Sequence, residues 1–84
     1  MATEEDFKAA VDRVQNLAAT PSNDDLLSLY GLFKQATVGD VAGKRPGMMN
    51  IRGRAKYDAW ASRKGMSADE ARASYIQTVE RLEK

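Results

Sequence analysis

Tyr30 and Lys34 are the residues whose types and spacing most clearly predict chemistry in this sequence. Residues four positions apart are neighbours on one face of an α-helix, so the ring and the ammonium group can contact one ligand together. Phe33 adds a second ring beside them. Stacking surfaces next to a cation suit a nucleobase that carries phosphate groups. The pattern therefore predicts a site for an anionic nucleotide.

Two further cations, Arg52 and Lys56, lie four residues apart in the next predicted helix. They could approach Lys34 from across a groove and hold a phosphate group together with the Tyr30 hydroxyl. An ammonium group beside aromatic rings on an inward-leaning helix face is costly without an anionic partner. Tyr75, in the last predicted helix, offers one more ring. Aromatic residues at helical spacing are, however, more often part of a core, so spacing alone leaves both interpretations open.

Four segments show the periodicity of amphipathic helices, with apolar residues every three or four positions, and the alternation typical of strands is absent. The first predicted helix covers about residues 4–18 after the cap Thr3, and the others begin after the caps Ser22, Asn50 and Ser67. Residues 38–49 hold three glycines and one proline and form a loop long enough to cross the molecule. We therefore predict an all-α four-helix bundle in one domain, residues 1–84, whose long loop permits a parallel second and third helix.

Composition limits the functions that this chain can perform. A chain of 84 residues buries only about 60–65% of the surface that its unfolded form exposes, so we do not expect a deep catalytic cavity. The sequence has no histidine and no cysteine, and hence neither the usual general base nor the most reactive nucleophile. We expect a protein that is not an enzyme and that needs no metal or cofactor. An acidic start and short apolar runs predict a cytoplasmic protein without membrane insertion.

The net charge of +1 conceals an uneven distribution. Residues 1–40 hold three basic side chains against seven acidic ones, whereas residues 41–64 hold seven basic ones against Asp58 alone. A concentrated positive segment in a nearly neutral protein favours a local anion site. Three alternatives remain. They are a solvated basic helix without a partner, a nucleic-acid-binding module that uses residues 41–64, and a protein-interaction module whose Tyr30 and Phe33 groove receives an amphipathic helix.

Four motifs resemble the signature of the acyl-coenzyme A (acyl-CoA) binding protein family. They match it in order and spacing, and they are Tyr30–Asp40 (YGLFKQATVGD), Arg45–Gly47 (RPG), Lys56–Trp60 (KYDAW) and Lys64–Gly65 (KG). The resemblance implies an up-down-down-up bundle with a long crossover between helices 2 and 3. It also implies a monomer that binds long-chain acyl-CoA esters reversibly, carries them inside the cell and maintains a pool of them, with no nucleic acid as partner.

The same resemblance assigns roles to individual residues. Tyr30, Lys34 and Lys56 would hold the 3′-phosphate and adenosine of coenzyme A, with Arg52 and Tyr75 nearby. The complete set that it places at the head group is Gln15, Tyr30, Gly31, Leu32, Phe33, Lys34, Arg52, Lys56 and Tyr75. The apolar groove for the acyl chain would consist of Phe7, Val11, Val14, Leu26 and Leu27.

Three positions differ from the commoner pattern of the family. Phe33 stands where a tyrosine is frequent, which keeps a ring for stacking but removes a hydroxyl donor. Gln15 stands where a lysine is frequent, so one favourable charge toward the ligand phosphates is absent. Tyr57 replaces a usual tryptophan. The lost donor and the lost charge bear on affinity and leave the resemblance intact.

Overall fold

The computed structural model describes residues 3–84. Within that range the chain forms four helices and no strand: α1 (Glu4–Val14), α2 (Asn23–Thr37), α3 (Ile51–Ala61) and α4 (Ala68–Leu82). A side-chain oxygen caps the start of each helix by accepting from the backbone N–H three residues on, and the capping residues are Thr3, Ser22, Asn50 and Ser67. The predicted all-α class and the four predicted caps are confirmed.

The first helix is shorter than predicted, because α1 ends at Val14 and not near residue 18. Asn16 explains this end. Its side-chain amide donates to the Asp12 carbonyl at 3.0 Å, and its backbone N–H bonds only three residues back, to the Arg13 carbonyl. The Asp12 carbonyl is the acceptor that a continuing α-helix would offer to the Asn16 backbone, so the side chain competes directly with the helix. Gln15 consequently lies at the helix end, exposed to solvent.

Ion pairs between helix ends show the relative directions of α1, α2 and α4. Helix α2 packs against α4, and α4 also packs against α1. Arg81 near the end of α4 pairs with Asp25 near the start of α2 at 2.7 Å, so these helices are antiparallel. Arg13 near the end of α1 pairs with Glu83 just beyond α4 at 3.0 Å, so these two are parallel. Helix α1 therefore runs opposite to α2.

The crossover between α2 and α3 fixes the direction of the remaining helix. The Trp60 indole N–H, near the end of α3, donates to the carbonyl of Gly39, just beyond the end of α2, at 2.7 Å. Helices α2 and α3 therefore end side by side and run parallel. Arg45 of the crossover also forms a bidentate ion pair with Asp58 of α3 at 2.9 and 2.6 Å. The up-down-down-up arrangement with a long crossover is confirmed.

Asp40 joins the crossover to the loop before α4. Its carboxylate accepts from the Gly65 N–H and from the Gln35 side-chain amide, both at 2.8 Å. These two hydrogen bonds hold the pKa of Asp40 below its usual value, and the one from Gly65 has the larger effect. The Gln35 amide also donates to the Met66 carbonyl at 2.8 Å. The end of the Tyr30–Asp40 motif therefore serves to tie the chain together.

The core lies between α1, α2 and α4. Its buried cluster consists of Phe7, Ala10, Leu29, Leu32, Tyr75 and Val79. Helix α3 contains no buried residue and packs against α2, so its cations stay at the surface. The Cα trace measures 35 × 28 × 15 Å. A body this thin offers open grooves to a ligand more readily than an enclosed cavity.

Gly31 lies where α2 meets α3. A Cβ atom at this position would lie 2.4 Å from the Ala59 carbonyl oxygen, so the two helices would have to move apart. We predict that Gly31→Ala lowers the free energy of unfolding by about 1–3 kcal/mol, the usual cost of overpacking. Urea unfolding measures the change, and the sign is diagnostic because glycine to alanine inside a helix is otherwise stabilising.

The matched control for this prediction is Gly47→Ala. A Cβ at Gly47 would meet no atom within 4 Å, so this variant should unfold at nearly the wild-type urea concentration. If Gly31→Ala behaves like the control or is more stable than the wild type, the close approach of α2 and α3 is not a constraint.

Candidate ligand-binding site

Two lysines and two aromatic rings alternate along the seam between α2 and α3. Tyr30 and Lys34 are one turn apart on α2, and Lys56 and Trp60 are one turn apart on α3. Lys56 Nζ lies 5.5 Å from the centre of the Tyr30 ring, and Lys34 Nζ lies 5.0 Å from the centre of the Trp60 ring. Each ammonium group thus makes a cation–π contact with a ring of the opposite helix. The arrangement brings two positive charges to one strip of surface.

Within the described part of the chain, no carboxylate neutralises the cations of this seam. Four ion pairs form within residues 3–84: Arg13–Glu83, Arg45–Asp58, Arg72–Asp69 and Arg81–Asp25. None of these pairs includes Lys34, Lys56 or Arg52. A cation–π contact at an exposed site contributes only about 0.5–1 kcal/mol. The seam therefore presents positive charge that an anionic ligand can neutralise.

A hollow of about 390 Å³ opens beside this seam, next to the first turns of α2 and α3. We call it the α2–α3 hollow, and it is lined by Asn23, Leu26, Leu27, Tyr30, Arg52, Ala55 and Lys56. Leu26 is 41% exposed although it is a large apolar residue. The hollow thus combines two cations and a phenol with aliphatic surface.

A larger hollow of about 560 Å³ lies on the other side of α2. We call it the α1–α2 hollow, and it is lined by Glu4, Phe7, Lys8, Val11, Asp12, Phe33, Ala36, Thr37 and Arg72. The Phe33 ring, 37% exposed, stacks on the Phe7 ring with centroids 5.8 Å apart. Because a buried ring supports the exposed one, Phe33 offers a preformed surface on which a flat group can stack.

The predicted apolar groove is divided by α2. Phe7 and Val11 line the α1–α2 hollow, whereas Leu26 and Leu27 line the α2–α3 hollow. Val14 lines neither hollow and packs, partly buried, against the core. Helical periodicity indicates that these residues lie on apolar helix faces. Only the packing of α1 on α4 shows that they lie on different sides of α2.

Four predicted head-group residues line neither hollow. Leu32 is 2% exposed in the core, and Gly31 is buried against α3, so we assign both to packing. Tyr75 is 5% exposed and packs edge-on against Phe7, and burial raises the pKa of its hydroxyl. Gln15 lies at the exposed end of α1 and lines neither hollow.

Trp60, Lys8 and Arg72 lie at the site although the sequence analysis did not assign them to ligand binding. Trp60 makes a cation–π contact with Lys34. Its position four residues after Lys56 could have indicated this, because it repeats the spacing of Tyr30 and Lys34 with lysine and ring in the opposite order. Lys8 and Arg72 line the α1–α2 hollow. Arg72 reaches it from α4, a neighbour that no local spacing indicates.

The chemistry available at the two hollows is that of recognition. Ammonium, guanidinium and hydroxyl groups can donate to phosphate oxygens, and the aromatic and aliphatic surfaces can cover an apolar chain. Across residues 3–84 no group of acidic side chains is arranged to hold a metal ion. None of the helices described is long and apolar enough to cross a membrane.

Comparison with known proteins identifies the family. Residues 4–79 match the family described as "Acyl CoA binding protein". An acyl-CoA-binding protein of Brassica napus is 52% identical over 82 residues, which cover 98% of this chain and 89% of the relative. The crystal structure of Oryza sativa Acyl-CoA-Binding Protein 2 has a TM-score of 0.90 at 47% identity, over 94% of this chain and 86% of that one. The crystal structure of ACBP from Moniliophthora perniciosa has a TM-score of 0.91 at 40% identity, over 96% and 80%. The chain therefore belongs to the acyl-CoA-binding protein family.

Proposed function

We propose that this protein binds long-chain acyl-CoA esters reversibly and acts in the cytoplasm as their carrier and pool former. It would do so as a monomer and without catalysing a reaction. The observation that carries the proposal is the seam between α2 and α3, where Lys34 and Lys56 have no carboxylate partner among residues 3–84 and lie beside exposed apolar surface. The names of the relatives support this function and give no support to a nucleic-acid-binding or protein-interaction module.

In the proposed complex the seam would hold the 3′-phosphate of the nucleotide, and the exposed Phe33 ring on the other side of α2 would stack on its base. Lys34 and Lys56 would leave the rings on which they rest and donate to the 3′-phosphate, with the Tyr30 hydroxyl as a third donor. Arg52, on the wall of the α2–α3 hollow, would serve the remaining phosphates. Hydrogen bonds from cations to phosphate are about twice as strong as neutral ones, which favours this exchange of partners.

The acyl chain would lie on the apolar surface of the hollows. Removing a methylene group from water contributes about 0.8 kcal/mol when it is fully covered, and Leu26, Leu27 and Val11 supply aliphatic surface for that purpose. Because these hollows are open to solvent at the surface of a thin molecule, the tail can leave without the fold opening. This geometry supports reversible binding.

Trp60 provides a direct test, since it is the only tryptophan in the chain. A ligand phosphate that draws Lys34 away from the Trp60 ring should change the indole fluorescence, and titration with palmitoyl-CoA should saturate at one equivalent. Lys34→Met should keep its circular dichroism spectrum and should abolish most of the change. A response to a DNA oligonucleotide, with none to the ester, would contradict the proposed function.

Phe33 allows a separate test of the stacking surface. Phe33→Ala should weaken the binding of palmitoyl-CoA by about 1–3 kcal/mol, the contribution of one aromatic platform under a base. Phe33→Tyr keeps the ring and should change affinity by less than about 1.5 kcal/mol, the net scale of one hydrogen bond. Calorimetric titration measures both variants.

The control for Phe33 is Val38→Ala, which truncates an apolar side chain that is 59% exposed and lines neither hollow. Urea unfolding of each variant separates loss of binding from loss of the Phe7 contact. If Phe33→Ala binds as tightly as Val38→Ala, Phe33 does not touch the ligand.

A further inference from the structure

A polar pocket of about 320 Å³ lies between α2, α4 and the turn that follows α3. We call it the α2–α4 pocket, and it is lined by Ser28, Leu32, Arg63, Ser74, Gln77, Thr78 and Arg81. It shares no residue with the α1–α2 hollow or the α2–α3 hollow. Pockets that bind small molecules usually measure about 300–1,000 Å³. The α2–α4 pocket is therefore large enough for a small ligand and separate from the surface that we assign to acyl-CoA.

The lining is polar at a place where packed helices usually bury apolar side chains. Ser28 and Leu32 are one turn apart on α2, and Ser74 and Thr78 are one turn apart on α4. Leu32 is the one apolar residue of the lining, and both serines are half-buried. Serine forms helices less readily than alanine and brings a polar group into the packed region. The two serines are therefore better explained as hydrogen-bond donors toward the pocket than as packing residues.

Arg63 reaches the pocket from the turn after α3. Its backbone N–H donates to the Trp60 carbonyl and its carbonyl accepts from the Met66 N–H, both at 3.0 Å, so the backbone holds the start of the side chain in place. The Arg63 Nε is buried and has no hydrogen-bond partner within residues 3–84. The guanidinium group forms no ion pair in that range either. Because buried polar atoms usually have a partner, this charged donor favours a ligand that accepts hydrogen bonds.

Arg81 supplies a second guanidinium group to the pocket. Its Nη2 donates to Asp25 Oδ1 at 2.7 Å. A guanidinium group has five N–H donors, so this hydrogen bond leaves Arg81 with further donors. Glu80, its neighbour in the sequence, lines a different hollow against α1. The positive charges of Arg63 and Arg81 therefore exceed the negative charge of Asp25 at this pocket.

We infer that the α2–α4 pocket binds a phosphate group, as the free ion or on a small phosphomonoester. Donors converge on the pocket from α2, from α4 and from the turn after α3. A phosphomonoester presents three strong acceptor oxygens, whereas a carboxylate presents two in one plane. Water would satisfy the hydroxyl groups, but an anion would also neutralise the excess positive charge. The inference does not depend on the proposed function, because the pocket is separate from both hollows.

NMR titration of the ligand-free protein with inorganic phosphate tests this inference residue by residue. At constant ionic strength, set with sodium chloride, the backbone amide signals of Ser28, Arg63 and Ser74 should shift and saturate. Arg63→Gln removes the charge and should weaken this binding by about tenfold or more, the effect of losing one charge-assisted hydrogen bond. Shifts at Lys34 and Lys56 report phosphate at the seam, so the two sites are measured separately.

Two further variants keep the test independent of folding. Ser74→Ala suits a helix and should weaken the binding of phosphate by about three- to tenfold, the effect of losing one neutral hydrogen bond. The matched control is Lys64→Gln, which removes a neighbouring exposed charge that does not line the pocket and should bind phosphate like the wild type. All three variants should keep the affinity for palmitoyl-CoA, so a failure of this site is distinct from a failure of the proposed function.

Methyl phosphate and acetate identify the ligand class. Tighter binding of methyl phosphate than of inorganic phosphate would identify a phosphomonoester as the ligand, and the reverse order would identify the free ion. Acetate at the same concentration should cause little shift. Saturation of the pocket by acetate as readily as by phosphate would overturn the inference. So would phosphate-induced shifts confined to the seam, or equal phosphate binding by the wild type, Arg63→Gln and Ser74→Ala.

Discussion

Affinity for acyl-CoA esters should rise with acyl length and far exceed the affinity for free coenzyme A. A fully covered methylene group contributes about 0.8 kcal/mol, so two added carbons should tighten binding by up to about fifteenfold. The increase should stop once the apolar surface is filled. Isothermal titration with free coenzyme A and a series of saturated esters measures the slope.

Variants on the two sides of α2 show which hollow covers the tail. Leu26→Ser alters the α2–α3 hollow and Val11→Thr alters the α1–α2 hollow, and at least one of them should flatten the dependence on acyl length. Val38→Thr lies outside both hollows and should keep the wild-type slope. If the wild type binds every ester as tightly as free coenzyme A, the tail contributes nothing and the carrier function is wrong.

Loss of the 3′-phosphate from the ligand should weaken binding by about 2–5 kcal/mol, the typical cost of truncating one member of a hydrogen-bonded charge cluster. Tyr30, Lys34 and Lys56 would then lack the anion that they share. The Lys56→Ala variant should therefore lose most of the preference for palmitoyl-CoA over its 3′-dephospho analogue. It should retain the dependence on acyl length, because that arises from the hollows.

Lys44→Ala is the matched control, since Lys44 is an exposed lysine of the crossover that lines neither hollow. It should discriminate the two ligands as the wild type does. Should Lys56→Ala discriminate them as well as Lys44→Ala, Lys56 does not bind the phosphate, even if the ester still binds. The comparison uses titration calorimetry at one salt concentration because phosphate contacts are screened by ions.

Local signals in the sequence were sufficient to predict the helices. Ser22, Asn50 and Ser67 cap helices because short polar side chains satisfy free N–H groups. A few neighbouring residues are enough to recognise such a cap. The parallel run of α2 and α3 followed from the length of the crossover and from the family resemblance. The end of α1 was mispredicted because the Asn16 side chain competes for the Asp12 carbonyl. Hydrophobic periodicity cannot indicate such a side-chain hydrogen bond.

The site was predictable in part. Tyr30, Lys34, Arg52 and Lys56 could be grouped because helical spacing places each pair on one face. Each lysine also contacts a ring of the opposite helix, and this contact depends on the register between α2 and α3. Gly31 allows the two helices to approach in that register, which residue spacing within one helix cannot predict. The burial of Leu32 depends likewise on which faces of α2 meet α4.

Native mass spectrometry of the freshly purified protein tests the central claim most directly. The protein isolated from cells should show a population heavier than the free chain by the mass of one long-chain acyl-CoA, and gas-phase dissociation should release that ester intact. Lys56→Ala, prepared in parallel, should carry less of it than Lys44→Ala. Protein that emerges without acyl-CoA, and that acquires none when palmitoyl-CoA is added at one equivalent, would contradict the proposed function.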